Sequence, residues 1–197
     1  MDDVPQKTDL PGVLTAWFAA RGWRPRPHQL AVLQRTRAGQ SVLLTAPTGG
    51  GKTLAGFLPS LCELIEAGPG AKAGRLHTLY LSPLKALAVD VRRNLEEPIA
   101  EMALPIQVES RTGDTPQSRR QRQRRNPPHM LLTTPEQLAL LLSYRDAGRY
   151  FAGLRYVVID ELHSLASNKR GDLLALGLAR LAGMAPGARQ IGLSATV

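Results

Sequence analysis

Short, continuous runs of apolar residues recur along the chain, and they restrict its fold more than any other feature. They occupy residues 42–44, 76–81, 130–132, 156–159 and 191–193. Most are apolar at every position and not at alternate positions, so they suit strands that are covered on both faces. Segments with helical spacing lie between them, at residues 54–66, 84–102, 137–142 and 173–181. This alternation predicts an α/β fold with three layers, a mostly parallel sheet with helices on both faces.

Two further helices are predicted ahead of the first apolar run, at residues 10–20 and at about 29–38. Pro25 and Pro27 break the chain between them. We therefore divide the chain into an N-terminal helical segment, 1–38, and an α/β domain, 39–197.

The charge balance suggests what such a domain binds. The chain has 25 Lys and Arg against 16 Asp and Glu, a formal net charge of +9, and 43% of its 197 residues are hydrophobic. A core of domain size is therefore available. The excess of positive charge predicts attraction to a polyanion such as nucleic acid, although charge that serves solubility alone is the alternative.

The sequence gives no sign of a membrane protein. No apolar run approaches the roughly 20 residues that cross a bilayer, and residues 1–9 carry acids without the apolar core of a secretory signal. Cys62 is the single cysteine and is interpreted as a small buried hydrophobe. We expect no membrane partner and a cytoplasmic location.

Three steps of Ser or Thr followed by Pro stand where an extended segment meets a predicted helix: Ser82-Pro83, Thr115-Pro116 and Thr134-Pro135. The hydroxyl residue suits the N-cap and proline suits the first helical position. Helices that follow parallel strands begin at one edge of the sheet, so their free N–H groups would gather there and favour phosphates. Ordinary helix capping is the alternative for any single step.

A glycine-rich segment follows the first apolar run and precedes a helical pattern. It comprises Thr48, Gly49, Gly50, Gly51, Lys52 and Thr53. The glycines let backbone N–H groups face phosphates, Lys52 can reach the terminal phosphates, and the Thr53 hydroxyl can bind Mg²⁺. Ala46 stands where the usual pattern has its first glycine, so a coincidental glycine-rich turn is the alternative. The strand context favours a phosphate loop.

Two carboxylates follow the apolar run 156–159. Asp160 would hold Mg²⁺ through its water shell, and Glu161 would polarise the attacking water. Taken alone, a helix N-cap and a first-turn acid would explain the pair equally well. Together with the loop at Lys52, the pair predicts an ATP-hydrolysing site that uses ATP and Mg²⁺.

Six motifs in order carry a family resemblance: residues 46–53, 82–87, 111–114, 133–136, 160–163 and 194–196. They resemble those of the superfamily-two helicases with an Asp-Glu-x-His box. The sequences of residues 82–90, 112–115 and 192–196 are most similar to those of the large helicase-related family. Residues 14–29 resemble its bacterial branch associated with DNA ligase. The resemblance implies a RecA-like domain of an ATP-dependent DNA helicase or translocase, moving 3′ to 5′ and acting in DNA repair. An RNA helicase, or a nucleic-acid-binding module with a passive nucleotide switch, is the alternative.

The resemblance also implies roles for individual residues. Gln29 would recognise adenine, with Arg24 or Trp23 packed against the base, and His163 would couple the nucleotide site to Ser194 and Thr196. The residues implied to grip the sugar-phosphate backbone of a single strand are Ser82, Pro83, Lys85, Arg111, Thr112, Gly113, Thr134 and Pro135. Such contacts fix register without reading sequence.

Five arginines occupy the seven positions from 119 to 125. The run either extends the nucleic-acid track or forms a solvated helix face, and both interpretations stay open.

The chain stops at Val197, directly after the last motif. Superfamily-two motors close a second, similar domain over ATP, and an arginine supplied across such a cleft is worth about 10³ to 10⁵ in rate in related phosphoryl transfer. We therefore expect a second RecA-like domain as a partner, and poor ATP hydrolysis from the chain alone.

Overall fold

A six-stranded sheet in the order β1-β6-β5-β2-β4-β3 forms the middle layer of the protein, and each pair of neighbouring strands is parallel. The computed structural model describes residues 10–47, 49–68, 74–83, 85–165 and 168–195, with the backbone alone for 85–90 and 93. The strands are β1 (Val42–Thr45), β2 (Thr78–Leu81), β3 (Val108–Arg111), β4 (Met130–Thr133), β5 (Tyr156–Ile159) and β6 (Arg189–Ser194). The predicted α/β class with a parallel sheet is confirmed.

Helices connect the strands and cover both faces of the sheet. They are α1 (Gly12–Ala20), α2 (Pro27–Arg37), α3 (Lys52–Ala67), α4 (Lys85–Glu101), α5 (Gln117–Arg125), α6 (Pro135–Leu142), α7 (Ala147–Phe151), α8 (Leu162–Leu165) and α9 (Lys169–Met184). None of the helices in the described ranges is long and apolar enough to cross a membrane.

The core consists of two apolar clusters, one on each face of the sheet. Helices α1 to α4 contribute to the first cluster, and α6 to α9 contribute to the second. Successive strand residues point to opposite faces, so Tyr80 lies in the first cluster while Leu79 and Leu81 lie in the second. Both faces need apolar residues, which explains the continuous apolar runs within the central strands. Cys62 is buried in the first cluster, as predicted.

Helix α3 approaches the sheet very closely at Gly56. A Cβ atom built on Gly56 would lie 2.9 Å from Val158 Cγ1 and 3.0 Å from Leu193 Cδ1. The absent side chain therefore lets α3, which begins at the glycine-rich segment, pack directly against β5 and β6. This contact fixes where the start of α3 stands relative to the ends of those two strands.

Two details of the predicted Ser/Thr-Pro steps are wrong. Helix α6 begins at Pro135 with Thr134 as its N-cap, as expected. Helix α5 begins one residue late, with Pro116 at the N-cap, because Thr115 Oγ1 instead accepts a hydrogen bond from the Thr112 amide in the preceding turn. Helix α4 begins at Lys85, so Pro83 is not its first residue, and residue 84 lies outside the described part.

Strand β3 has no counterpart in the sequence prediction. Its residues, Val108 to Arg111, include one aliphatic side chain, since β3 lies at the edge of the sheet and pairs with β4 alone. Glu109 and Ser110, in the middle of β3, are only partly buried, so this strand lacks the continuous apolar pattern.

Candidate nucleotide and nucleic-acid site

The glycine-rich segment forms a tight loop between β1 and α3. Gly49 and Gly51 have φ angles of 77° and 76°, in the left-handed region that favours glycine. Gly50 donates its amide to the Pro47 carbonyl at 3.0 Å, and a Cβ on Gly50 would lie 2.8 Å from that oxygen. The predicted need for glycines is therefore met by specific backbone geometry. Thr48 lies outside the described residues.

Helix α3 starts directly at Lys52, with Gly51 as its N-cap. Its first turn holds no acidic residue and no side chain caps it, so its N–H groups and positive dipole end are available to an anion. Lys52 is buried, and its ammonium donates to the Ala46 carbonyl at 2.6 Å. A phosphate at this helix start would compete with that carbonyl for the Lys52 ammonium.

Asp160 stands at the carboxyl end of β5 with both carboxylate oxygens engaged. Its Oδ1 accepts the Glu161 amide at 2.9 Å, and its Oδ2 accepts the hydroxyl of Tyr80. Tyr80 is fully buried on the neighbouring strand β2 and stacks on Phe57 of α3, with ring centroids 5.1 Å apart. Burial, and next the Asp160 carboxylate, raise the pKa of Tyr80 well above its usual value. The hydroxyl therefore stays protonated and donates a hydrogen bond to Asp160.

Sequence reasoning did not identify Tyr80. A tyrosine inside an aliphatic strand was the available signal, because a buried phenol hydroxyl needs a partner. The register pairs Tyr80 with Val158, two residues before Asp160.

Glu161 adopts a φ of 49°, which is uncommon for a residue other than glycine. Hydrogen bonds on both sides hold this conformation, since its amide donates to Asp160 and its carbonyl accepts from both the amide and the hydroxyl of Ser164. Its carboxylate Oε2 lies 3.2 Å from His163 Nε2. A strained backbone that is fixed by its neighbours is typical of functional sites.

His163 connects the carboxylate of Glu161 to β6. Its Nδ1 lies 3.1 Å from Ser194 Oγ, while its Nε2 faces Glu161. The structure therefore brings together three of the residues that sequence reasoning linked. Thr196, the fourth, lies outside the described residues.

Gln29 is buried at the start of α2 and contacts the glycine-rich loop. Its side-chain oxygen accepts the Arg26 amide at 2.9 Å, and its side-chain nitrogen donates to the Gly51 carbonyl at 3.2 Å. A cavity of about 650 Å³ opens beside this amide. Trp23 and Arg24, the two residues predicted to pack against a base, both line it, as does Thr53.

The segments predicted to grip nucleic acid all lie at the carboxyl ends of β2, β3 and β4. The structure thus places them at the sheet edge that also carries Lys52 and Asp160. Most of their side chains are buried: Ser82, Pro83, Thr112, Thr134 and Pro135. Gly113 is exposed, and the Lys85 side chain lies outside the described part. Among these predicted residues, Gly113 is thus the one that is openly accessible in the described part.

The expectation that Arg111 supplies accessible charge is wrong. Its side chain is fully buried, and its guanidinium donates to the Arg120 carbonyl at 3.4 Å and to the Tyr144 hydroxyl at 3.2 Å. A side chain held in this way cannot reach a nucleic-acid backbone without leaving its site. Arg111 instead ties the end of β3 to α5 and to the segment after α6.

Most arginines of the run 119–125 bind other parts of the protein. Arg119 and Arg122 pair with Glu109 at 3.3 and 2.7 Å. Arg120 donates to the carbonyls of Thr112, Gly113 and Thr115, which holds that turn closed. Arg124 pairs with Asp146 at 2.9 Å, and Arg125 has no ion pair among the described residues. Arg122, Arg124 and Arg125 are nevertheless exposed, so the solvated-face interpretation and the nucleic-acid track both stay open.

The donor set at this edge fits a magnesium ion. Mg²⁺ in nucleotide sites takes one or two carboxylates together with phosphate oxygens and water, so it needs no dedicated protein cage. In the described ranges, no group of three or more His, Cys, Asp or Glu side chains is arranged to hold a metal. Asp160 and the Thr53 hydroxyl are the residues that would hold the ion, which would neutralise phosphate charge during hydrolysis.

The profile of the DEAD/DEAH box helicase family matches residues 26–197. The chain belongs to this family. This helicase domain is 42% identical over 193 residues to the ATP-dependent helicase Lhr-Core protein 2 of Thermococcus barophilus, covering 92% of the domain and 22% of that relative. It is 41% identical to the Lhr helicase/uracil glycosylase of Escherichia coli, covering 100% of the domain and 14% of that relative.

A solved structure shows the same similarity in three dimensions. The Mycobacterium smegmatis helicase Lhr bound to ssDNA and AMP-PNP superposes with a TM-score of 0.85 and 40% identity, over 95% of the helicase domain and 25% of that chain. The predicted RecA-like fold and the resemblance to the large helicase-related family are confirmed. The helicase domain thus spans about a quarter or less of these relatives.

Proposed function

We propose that this chain is the first motor domain of an ATP-dependent helicase or translocase that couples ATP hydrolysis to movement on single-stranded DNA. One observation carries the proposal. The phosphate loop, the Asp160-Glu161 pair and His163 with Ser194 meet at the same edge of the sheet, because β1, β6 and β5 are adjacent. ATP-binding, hydrolytic and coupling groups are therefore contiguous.

Each group at this edge has a distinct task in the proposed reaction. The amides of Gly49 to Gly51 and the Lys52 ammonium bind the phosphates, and Thr53 and Asp160 would hold a Mg²⁺ ion, which would offset phosphate charge. Glu161 accepts a proton from the attacking water, and His163 holds the Glu161 carboxylate in place. Tyr80 positions the Asp160 carboxylate from the neighbouring strand.

Gln29 selects adenine in this proposal. Its amide borders the cavity beside the loop and can both donate to and accept from the edge of the base. Its hydrogen bond to Gly51 also ties base recognition to the phosphate loop.

The nucleic-acid strand would lie across the carboxyl ends of β2, β3 and β4. Contacts there would come from the segments at Ser82, Gly113 and Thr134. Contacts to the sugar-phosphate backbone carry no sequence information, which suits movement over arbitrary sequence. The M. smegmatis Lhr structure, bound to ssDNA and AMP-PNP, supports this proposal.

Further parts of the proposal concern the whole protein. A second RecA-like domain would close over ATP and supply arginines, movement would run 3′ to 5′, and the role would be DNA repair in the cytoplasm. The difference in length between this domain and its relatives is compatible with such additional domains. Membership of the ligase-associated branch also stays a prediction.

The decisive experiment measures ATP hydrolysis by the full-length protein with and without single-stranded DNA. We expect stimulation by DNA in the parent, and loss of turnover in both Lys52→Ala and Glu161→Gln. Glu161→Gln should still bind ATP, because it removes the base and not the phosphate contacts. Retained turnover in both variants would refute the site, and nucleotide-dependent DNA affinity without any turnover in the parent would identify a passive switch. RNA in place of DNA tests the choice of polymer.

A further inference from the structure

A second cavity, of about 520 Å³, lies at the edge of the sheet opposite to the nucleotide site. Its lining includes Arg75, Pro127 and Gly153, which precede β2, β4 and β5 by a few residues. Amino ends of parallel strands share one edge, and four-residue strands separate that edge from the carboxyl edge by roughly 13 Å of strand alone. The cavity therefore does not belong to the site described above.

The lining is strongly basic. Four arginines border the cavity, Arg75, Arg124, Arg125 and Arg149, against the single carboxylate of Asp146. Arg124 takes both oxygens of that carboxylate, with its Nε at 3.0 and 2.9 Å. The other three arginines are exposed and form no ion pair within 4 Å in the described part of the chain, although the charge of Arg149 also acts on the Asp146 carboxylate.

The end of α5 does not account for this convergence. Arginines in the last turn of a helix complement its dipole, which explains Arg124 and Arg125. Arg75 comes from the segment before β2 and Arg149 from α7, so neither serves that helix end. Positive charge from three separate elements is brought to one cavity at an electrostatic cost that an anionic ligand would offset.

Two aromatic side chains support the cavity wall. The guanidinium of Arg124 lies 4.5 Å from the centre of the Tyr144 ring and is also held by Asp146, so its plane is fixed. Tyr150 lines the cavity and is 7% exposed; its hydroxyl is buried, and the charged groups that act on it are Arg111 and Glu109 of β3. The phenol ring therefore forms part of the cavity wall.

We propose that this cavity binds backbone phosphates of a nucleic-acid segment separate from the strand at the carboxyl edge. Guanidinium groups match phosphate oxygens in bidentate geometry, and the volume suits a single nucleotide unit. The choice of nucleic acid over an acidic protein segment rests on the proposed function, in which the protein already holds a polyanion that extends beyond one domain.

The experiment uses the full-length protein and two DNA probes, a short single strand that fills the carboxyl edge alone and a fork with a single-stranded tail and a duplex arm. The variant Arg125→Ala/Arg149→Ala removes two cavity charges and keeps both residues of the Arg124–Asp146 pair. The control Arg35→Ala/Arg180→Ala removes two exposed charges elsewhere. Thermal unfolding checks that both variants fold.

The readout is the slope of log affinity against log salt concentration. For the fork, the magnitude of the slope should be smaller in the cavity variant by roughly 1.4 to 1.8, which is about 0.7 to 0.9 for each of two lost phosphate contacts. The control should keep the parent's slope. For the short strand, all three proteins should give the same slope. Equal slopes for the two variants on the fork, or an equal loss on the short strand, would overturn the proposal. ATP turnover by the parent is measured in parallel, so failure of the motor function is recognised separately.

Discussion

At the scale of single residues, removal of the Tyr80 hydroxyl is predicted to lower ATP turnover. It is the group by which β2 orients the Asp160 carboxylate, and Tyr80→Phe removes it while keeping the ring stacked on Phe57. Loss of a partner that orients a metal ligand typically costs about 10- to 100-fold in metal affinity or activity. We expect ATP turnover to fall within that range.

A readout besides turnover separates positioning from general damage. Nucleotide binding without Mg²⁺ should be unchanged in Tyr80→Phe, whereas the Mg²⁺ concentration needed for half-maximal nucleotide binding should rise. Phe57→Leu is a matched control, since it disturbs the same stack and leaves the hydroxyl in place. An unchanged Mg²⁺ requirement in Tyr80→Phe would contradict the positioning role.

Position in the chain decided which site residues could be predicted from the sequence. Asp160 and Glu161 directly follow β5, His163 lies in the first turn after them, and Lys52 follows the glycine-rich loop after β1. The burial of Arg111 could not be predicted, since its partners Arg120 and Tyr144 are 9 and 33 positions away. Nothing local distinguishes an arginine held inside the domain from one that faces solvent.

At the scale of elements, the approach of α3 to the sheet gives a prediction about stability. Gly56→Ala would place a methyl group within about 3 Å of Val158 and Leu193, which are buried and cannot easily move. Overpacking of this kind costs roughly 1 to 3 kcal/mol. Urea denaturation should therefore show a lower free energy of unfolding for Gly56→Ala.

Gly183 supplies the matched control within a helix. A Cβ on Gly183 in α9 would meet no atom within 4 Å, so Gly183→Ala should stabilise the domain by about 0.5 to 1 kcal/mol through helix propensity. Opposite signs for two identical substitutions would identify packing as the cause. A neutral Gly56→Ala would mean that α3 can shift away from the strands.

The elements themselves were predictable to different degrees. Central strands and long helices follow from apolar spacing, because burial on two faces or on one stripe leaves a clear pattern. Strand β3 and the short helices α7 and α8 could not be predicted in this way. Tertiary contacts stabilise them, and their own sequences carry no clear apolar spacing.

At the scale of the whole molecule, the lowered pKa of His77 leads to a prediction of how the stability of the domain depends on pH. Burial lowers the pKa of His77 to about 4; Glu63 opposes the shift, and Arg155 and His129 add to it. Between pH 6.5 and 4 the unfolded chain thus binds a proton that the folded chain does not. The free energy of unfolding should fall as pH falls through this window, by at most about 1.4 kcal/mol per pH unit.

Chemical denaturation at a series of pH values tests this dependence. His77→Gln should flatten the curve between pH 6.5 and 4 relative to the parent. Glu136→Gln should act below pH 4.5 instead: burial alone would raise the pKa of Glu136, but hydrogen bonds from Arg170 and Thr134 lower it to about 2. That stabilisation is present above pH 4.5 and is lost as pH falls towards 2. Identical curves for His77→Gln and the parent would contradict the assignment.

The amide of Gln29 has a further consequence when its hydrogen-bonding capacity is counted. A side-chain amide offers two hydrogens and two lone pairs. The Gly51 carbonyl accepts one of the hydrogens, and the Arg26 amide donates to one of the lone pairs. The remaining hydrogen and lone pair match the acceptor N7 and the donor N6 of adenine, so the base can be read without breaking either contact. Guanine presents two acceptors along the same edge and would leave the lone pair facing an oxygen. A preference for adenine over guanine would thus follow from the one hydrogen and the one lone pair of Gln29 that the fold leaves unused.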